Sequence, residues 1–183
     1  MSTTTDNYNL TLPDASEDYS ISVFNNNFIA IDTALKALAD LFSDVIKFTP
    51  EGGIAFRMIN KTGAASVKGS MVAPASAITN GFVLQSSEFD TIGAVYEDGI
   101  ADGELCWVVK LGTAEVLLED GTDAAAGNWV RASDVDGRAD ASLAQPPGNF
   151  NTATVEHFKE VGHCQETKAA GTNVLVKINL HLL

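Results

Sequence analysis

Cysteine is nearly missing from this chain, which has only Cys106 and Cys164 in 183 residues. Two cysteines cannot build the disulfide framework of a small secreted scaffold, and they are not spaced as a Cys-x-x-Cys metal or redox motif. Both lie in apolar, strand-like stretches, so buried free thiols are expected, while a disulfide between them stays open. Basic residues are scarce too: 11 against 24 acidic, for a net charge of −13, with −5 on residues 1–50 and −8 on the rest. A surface of that sign repels phosphate backbones, so nucleic acid is not an expected partner. No segment reaches the roughly 20 apolar residues that span a bilayer, and no membrane association is expected. The N-terminal Met1-Ser-Thr-Thr-Thr-Asp-Asn has no basic region and no apolar run behind it. A signal peptide is therefore not expected, and synthesis in a cytoplasm is.

Motifs for catalysis are also lacking. There is no Gly-x-Ser-x-Gly, no phosphate-binding P-loop and no Gly-x-Gly-x-x-Gly, so no enzymatic activity, catalytic residue or cofactor is expected. The three histidines, His157, His163 and His181, show neither His-x-x-x-His nor His-Glu-x-x-His spacing. On a regular strand, His163 and Cys164 point to opposite faces and make poor joint ligands unless the strand is bulged, so no metal site is expected. Asp134-Val-Asp136-Gly137 shares a fragment of a calcium loop but lacks the third ligand and the closing glutamate, which makes a turn the better account.

What the sequence does have is one long amphipathic helix. Apolar residues fall at Ile21, Phe24, Phe28, Ile31, Leu35, Leu38, Phe42 and Val45, with alternating spacings of three and four. This is a heptad seam with Ile21, Phe28, Leu35 and Phe42 at a, and Phe24, Ile31, Leu38 and Val45 at d. Asp14 and Glu17 have capping-box spacing ahead of it, and Thr49-Pro50-Glu51-Gly52-Gly53 ends it. The spacing predicts an oligomerisation helix over residues 20–49. The seam carries no polar residue, Ala34, Leu41 and Phe48 widen it, and Leu35 at a is not the dimer-favouring choice. A homotrimer is the expected assembly, and the alternative is an amphipathic helix lying on the chain's own second domain. Ahead of the helix, residues 1–19 are polar apart from Tyr8, Leu10, Leu12 and Pro13. They read as an extended anchor arm.

After Gly53 the period changes to two. Val174, Val176, Ile178, Leu180 and Leu182 alternate with Leu175, Lys177, Asn179 and His181. Leu105–Leu111 and Ala114–Leu118 alternate likewise, and shorter strands are expected at Ile54–Asn60, Phe82–Gln85, Ile92–Tyr96, Trp129–Ala132 and Val155–Thr167. Asn80-Gly81, Asp98-Gly99, Asp102-Gly103, Asp120-Gly121 and Asp136-Gly137 supply turns. The predicted class is mainly β: an N-terminal coiled-coil helix followed, over residues 50–183, by a small β-barrel or β-sandwich. The Ser133–Thr154 stretch is expected to be a long loop contacting a neighbour or lying idle on the surface.

Tyr8-Asn-Leu-Thr-Leu-Pro13, with Val23-Phe-Asn-Asn-Asn-Phe-Ile-Ala-Ile-Asp-Thr-Ala-Leu35, resembles the N-terminal segment of many phage tail, baseplate and fibre proteins. Ile92-Gly-Ala-Val-Tyr-Glu-Asp-Gly99, Val109-Lys-Leu-Gly-Thr-Ala-Glu-Val116, Asp136-Gly-Arg138, Glu160-Val-Gly-His-Cys164 and Gly171-Thr-Asn-Val-Leu-Val-Lys177 resemble the small β-barrel decoration and head-fibre proteins of tailed phages. The resemblance implies a virion structural protein present in many copies. It would be a trimeric capsid decoration (cement) or head-fibre protein made in the host cytoplasm, with the major capsid protein or another virion protein as partner. A tail, baseplate or fibre component is the alternative within virions, and a glycan-binding adhesin the alternative outside this class. Trp107 and Trp129 are the only tryptophans an adhesin could offer, and Trp107 falls in a core-type alternation.

Overall fold

The computed structural model describes residues 3–4, 10–12, 21–86, 91–142 and 160–181. Their elements are β1 (Thr3–Thr4), β2 (Thr11–Leu12), α1 (Ile21–Val45), β3 (Ile46–Phe48), β4 (Gly53–Asn60), β5 (Met71–Pro74), β6 (Gly81–Leu84), β7 (Gly93–Val95), β8 (Leu105–Leu117), β9 (Trp129–Ala132), β10 (Ala139–Ser142), β11 (Glu160–Cys164) and β12 (Leu175–Leu180). The protein is mainly β with one N-terminal helix. It divides into two compact units, Met1–Val45 and Ile46–Leu183.

In the first unit β1 and β2 pair antiparallel, Thr3 with Leu12 and Thr4 with Thr11. The helix begins at Ile21 and stops at Val45, short of the expected residue 49. Ile46, Lys47 and Phe48 alternate as a strand and pair with Phe56, Ala55 and Ile54. The connecting turn holds itself together: Gly53 N–H donates to Thr49 Oγ1 at 2.9 Å and Gly52 takes φ 97°. A ladder partner six to ten residues away outweighs the last helical turn.

The second unit holds a ten-stranded sheet in the order β10-β9-β11-β12-β8-β7-β5-β6-β4-β3, with a further pairing between β8 and β4. Among the described residues the strand pairings are antiparallel except β4 with β6, which run parallel from Ile59↔Gly81 to Asn60↔Phe82, and a single parallel bridge joins Leu118 to Ala139. The ladder can therefore be followed from β8 through β7, β5, β6 and β4 back to β8. Strand β8, expected as two segments, is continuous over Leu105–Leu117. Gly112 (φ 77°) lies where its partner changes, from β4 on the N-terminal side to β12 on the C-terminal side. A Cβ at Gly112 would sit 2.5 Å from the Gly52 carbonyl oxygen, so only glycine fits.

Apolar side chains form two clusters. Met58, Val72, Phe82, Val95, Cys106 and Val108 make one, and Trp107, Val109, Val116, Leu118, Val130, Val161, Cys164, Val176, Ile178 and Leu180 belong to the other. Consecutive β8 residues divide between them, as a period of two requires. The two cysteines are free thiols, both buried, one in each cluster, and are not joined. Burial pushes the Cys164 thiol up to about 11 and raises that of Cys106 as well.

Besides β1, β2 and β3, two strands escaped the sequence reading. Met71–Pro74 is a short apolar run that ends in proline. Ala139–Ser142 lies in the stretch expected to be a long loop, and it forms a hairpin with β9 instead. Its small residues show no β-branched signature, and register supplies the stability: Asp140 lies opposite Arg131, whose Nε and Nη2 reach Asp140 Oδ2 at 3.1 and 3.0 Å. The Asp134–Gly137 segment is the turn of that hairpin, with Gly137 at φ 71° and Ser133 N–H donating to the Arg138 carbonyl at 3.0 Å. The remainder of the expected loop lies outside the described residues.

Asn60, fully buried at the end of β4, ties three segments together. Its Nδ2 donates to the carbonyls of Ala64 (2.9 Å) and Ile100 (2.8 Å), and its Oδ1 accepts from Thr62 N–H (3.0 Å) and Thr62 Oγ1 (2.8 Å). Replacing Asn60 with alanine removes these four hydrogen bonds at a fully buried position and should cost about 2–3 kcal/mol. Urea unfolding checks this, and a loss below about 0.5 kcal/mol would contradict it. The raised thiols give a second expectation. Both thiols are buried and both are pushed above the ordinary cysteine value, so at pH 8 neither should react with a disulfide reagent until denaturant is added. Prompt labelling of the folded protein would contradict that burial.

Candidate functional site: an exposed apolar helix face

Helix α1 forms because its 25 residues contain no proline or glycine, and its seam repeats every three to four positions. At about 1.5 Å per residue it is about 37 Å long. On the polar side Lys36 Nζ meets Asp40 Oδ1 at 2.7 Å, an i,i+4 pair, and Thr33 Oγ1 donates to the Ile29 carbonyl at 2.8 Å. These contacts add a few tenths of a kcal/mol and leave the apolar face to decide the helix's fate.

That face is bare. Phe24, Phe28, Ile31, Leu35, Leu38, Phe42 and Val45 are all exposed, from 38% at Ile31 to 60% at Leu35, and Ile29 and Leu41 beside them reach 64% and 63%. Phe24 and Phe28 stack edge to face across one turn, with ring centroids 4.5 Å apart. Ile21 begins the helix, as the heptad reading has it. Seven side chains half-covered by a partner would contribute on the order of 5–10 kcal/mol per chain, comparable with the whole stability of a small domain. A lone helix of this length is marginal in water, so its surroundings must supply what its own hydrogen bonds do not.

The expected anchor residues are only partly in view. Leu10 is half-buried and Leu12 lies in β2, while Tyr8 and Pro13 are outside the described residues. The aromatics that an adhesin would present are not open platforms. Trp107 is 8% exposed, with Lys47 Nζ and the Arg57 guanidinium 5.8 and 5.5 Å from its ring centre, and the Trp129 ring lies 4.6 Å from that of His163. Among the described residues no helix is long and apolar enough to cross a membrane.

No protein-family model matches the chain, and no curated protein sequence does. Among solved structures, the head fibre gp8.5 N base of bacteriophage phi29 is similar, with a TM-score of 0.46 and 14% identity, over 70% of this chain and 93% of that one.

The exposed seam generates a direct test. The Leu35→Asp, Leu38→Asp double variant puts charges on the middle of the face without touching residues 46–183. The wild type should sediment as an oligomer and the double variant as a monomer whose β-sheet circular dichroism is unchanged. A wild-type protein that is monomeric at micromolar concentration would refute self-association through this face.

Proposed function

We propose that this protein is a non-enzymatic bacteriophage virion component, a homotrimer that decorates the capsid or forms the base of a head fibre. The observation that carries the reading is the bare heptad face of α1. A stripe of apolar side chains about 37 Å long, at a period of 3.5, is the surface that parallel copies of one chain bury against one another. The width of the stripe, with Leu41 beside the seam, and Leu35 at an a position favour three chains over two.

Support for the virion role comes from the sequence. The polar arm followed by Asn25-Asn26-Asn27-Phe28 at the helix start resembles the anchor segment of phage fibres and baseplates, and the β segments resemble decoration and head-fibre proteins. The circuit of pairings through β8, β7, β5, β6 and β4 supports reading the second unit as a small barrel, with β12, β11, β9 and β10 extending from it. The net charge of −13 suits a protein held in many copies on a particle surface, because like-charged neighbours resist non-specific clumping. The major capsid protein is the proposed partner.

Attachment is assigned to residues 1–19. A trimer presents three copies of this arm, so modest individual contacts at Leu10 and Leu12, with Tyr8 and Pro13, add up to firm multivalent binding. Deleting residues 2–13 should leave a folded trimer that no longer co-sediments with particles lacking the wild-type protein. If the truncated trimer binds those particles as tightly as the full-length chain, attachment lies in residues 46–183.

A further inference from the structure

Three side chains of the second unit converge on one point. His163 Nδ1 lies 2.8 Å from His181 Nε2 and 3.3 Å from Glu160 Oε1, and His181 Nε2 lies 2.9 Å from the same Glu160 oxygen. The residues are 21 positions apart at most, yet no simple alternation unites them. Residues 160 and 163 of a regular strand point to opposite faces.

The strand is not regular. Opposite β9 the register steps from Glu160↔Arg131 to Gly162↔Val130, so an extra residue is inserted at Val161. This bulge turns Val161 and Cys164 into the core and leaves Glu160 and His163 together on the other side. Glycine at 162 is required, since a Cβ there would run into the Asn179 carbonyl oxygen. His181 follows β12, two residues beyond Asn179, the direct partner of His163. It is therefore His163's diagonal neighbour on the same face. The Trp129 ring, 4.6 Å from that of His163, forms a wall that fixes the imidazole.

The donor set is that of a transition-metal centre. An ion with bonds of 2.0–2.2 Å to nitrogen and oxygen needs ligand atoms about 2.9 Å apart at right angles, or about 3.3 Å apart in a tetrahedron. The observed separations of 2.8, 2.9 and 3.3 Å lie within about 0.1 Å of that interval. Two neutral imidazoles and one carboxylate suit zinc or iron(II) and not calcium or magnesium, which favour oxygen. The two histidine side chains are 38% and 39% exposed and leave a position for water.

We propose that Glu160, His163 and His181 bind one divalent transition-metal ion per chain, with zinc as the ion to test. The ion ties the end of β12 to the start of β11. The site lies wholly within the second unit and is independent of how the helix assembles.

The test uses the full-length, untagged chain, stripped with EDTA and dialysed. Titration with zinc chloride should show one ion per chain, and unfolding should shift upward by about 5–10 °C at a free zinc concentration a hundredfold above Kd. Cobalt(II) should give visible bands of a nitrogen-ligated site with fewer than six ligands. The His163→Gln, His181→Gln double variant should lose the tight binding, the shift and the bands, and His157→Gln should keep all three. Binding weaker than millimolar, or an undiminished shift in a double variant with native circular dichroism, would overturn the proposal. If the double variant misfolds, the wild-type cobalt spectrum decides: bands of nitrogen ligation support the site, and the spectrum of aqueous cobalt refutes it.

Discussion

Strand β8 is the constraint on which the second unit rests. Its first half takes ladder bonds from β4 on one edge and β7 on the other, and its second half carries β12, through which β11, β9 and β10 are attached. One chain segment can serve both groups only if it changes partners without breaking. Gly112 allows that, because its positive φ and missing side chain let the backbone turn against Gly52. The division of the core follows from the same strand. Cys106 and Val108 enter one apolar cluster while Trp107 and Val109 enter the other.

The helix obeys a different logic. The second unit has an internal core, with Val72, Phe82, Val108, Val116, Val176 and Ile178 all fully buried, while Phe48, Leu105 and Leu111 stay exposed. Helix α1 leaves its apolar residues facing outward, at exposures that a soluble protein does not normally sustain over so long a stripe. A β unit with its own core and a helix whose apolar face is exposed are a division of labour that motivates the proposal of assembly through the helix. This division of labour underlies the reading as a repeated structural component of a particle.

Much of this was legible in the residues, and the reasons differ by element. The seam from Ile21 to Val45 needs only local spacing, and the helix bounds followed from it except at the C-terminal end. There Ile46–Phe48 found a strand partner that spacing cannot foresee. Strands β9 and β12 fell where alternation put them, and the turns at Asn80, Gly99, Gly103, Gly121 and Gly137 adopt the positive φ that their dipeptides imply. Strand β10 was not legible, since Ala139-Asp-Ala-Ser142 is a strand only because Arg131 and Val130 lie across from it. The Glu160, His163, His181 cluster was not legible either. Reading His163 by strict alternation separates it from Glu160, and the Val161 bulge that reunites them depends on close approach to Asn179.

By itself the sequence determined the class: a mainly β protein of strongly negative charge, led by a helix that presents an unbroken apolar seam. Charge, heptad spacing and strand alternation are local properties, and a side chain carries them into any fold. The tertiary structure alone decided which strands are neighbours, that β8 is one strand instead of two, and which polar side chains meet. Pairing partners in a sheet are chosen by the burial of a whole face, and a single inserted residue such as Val161 moves every side chain before it to the other face.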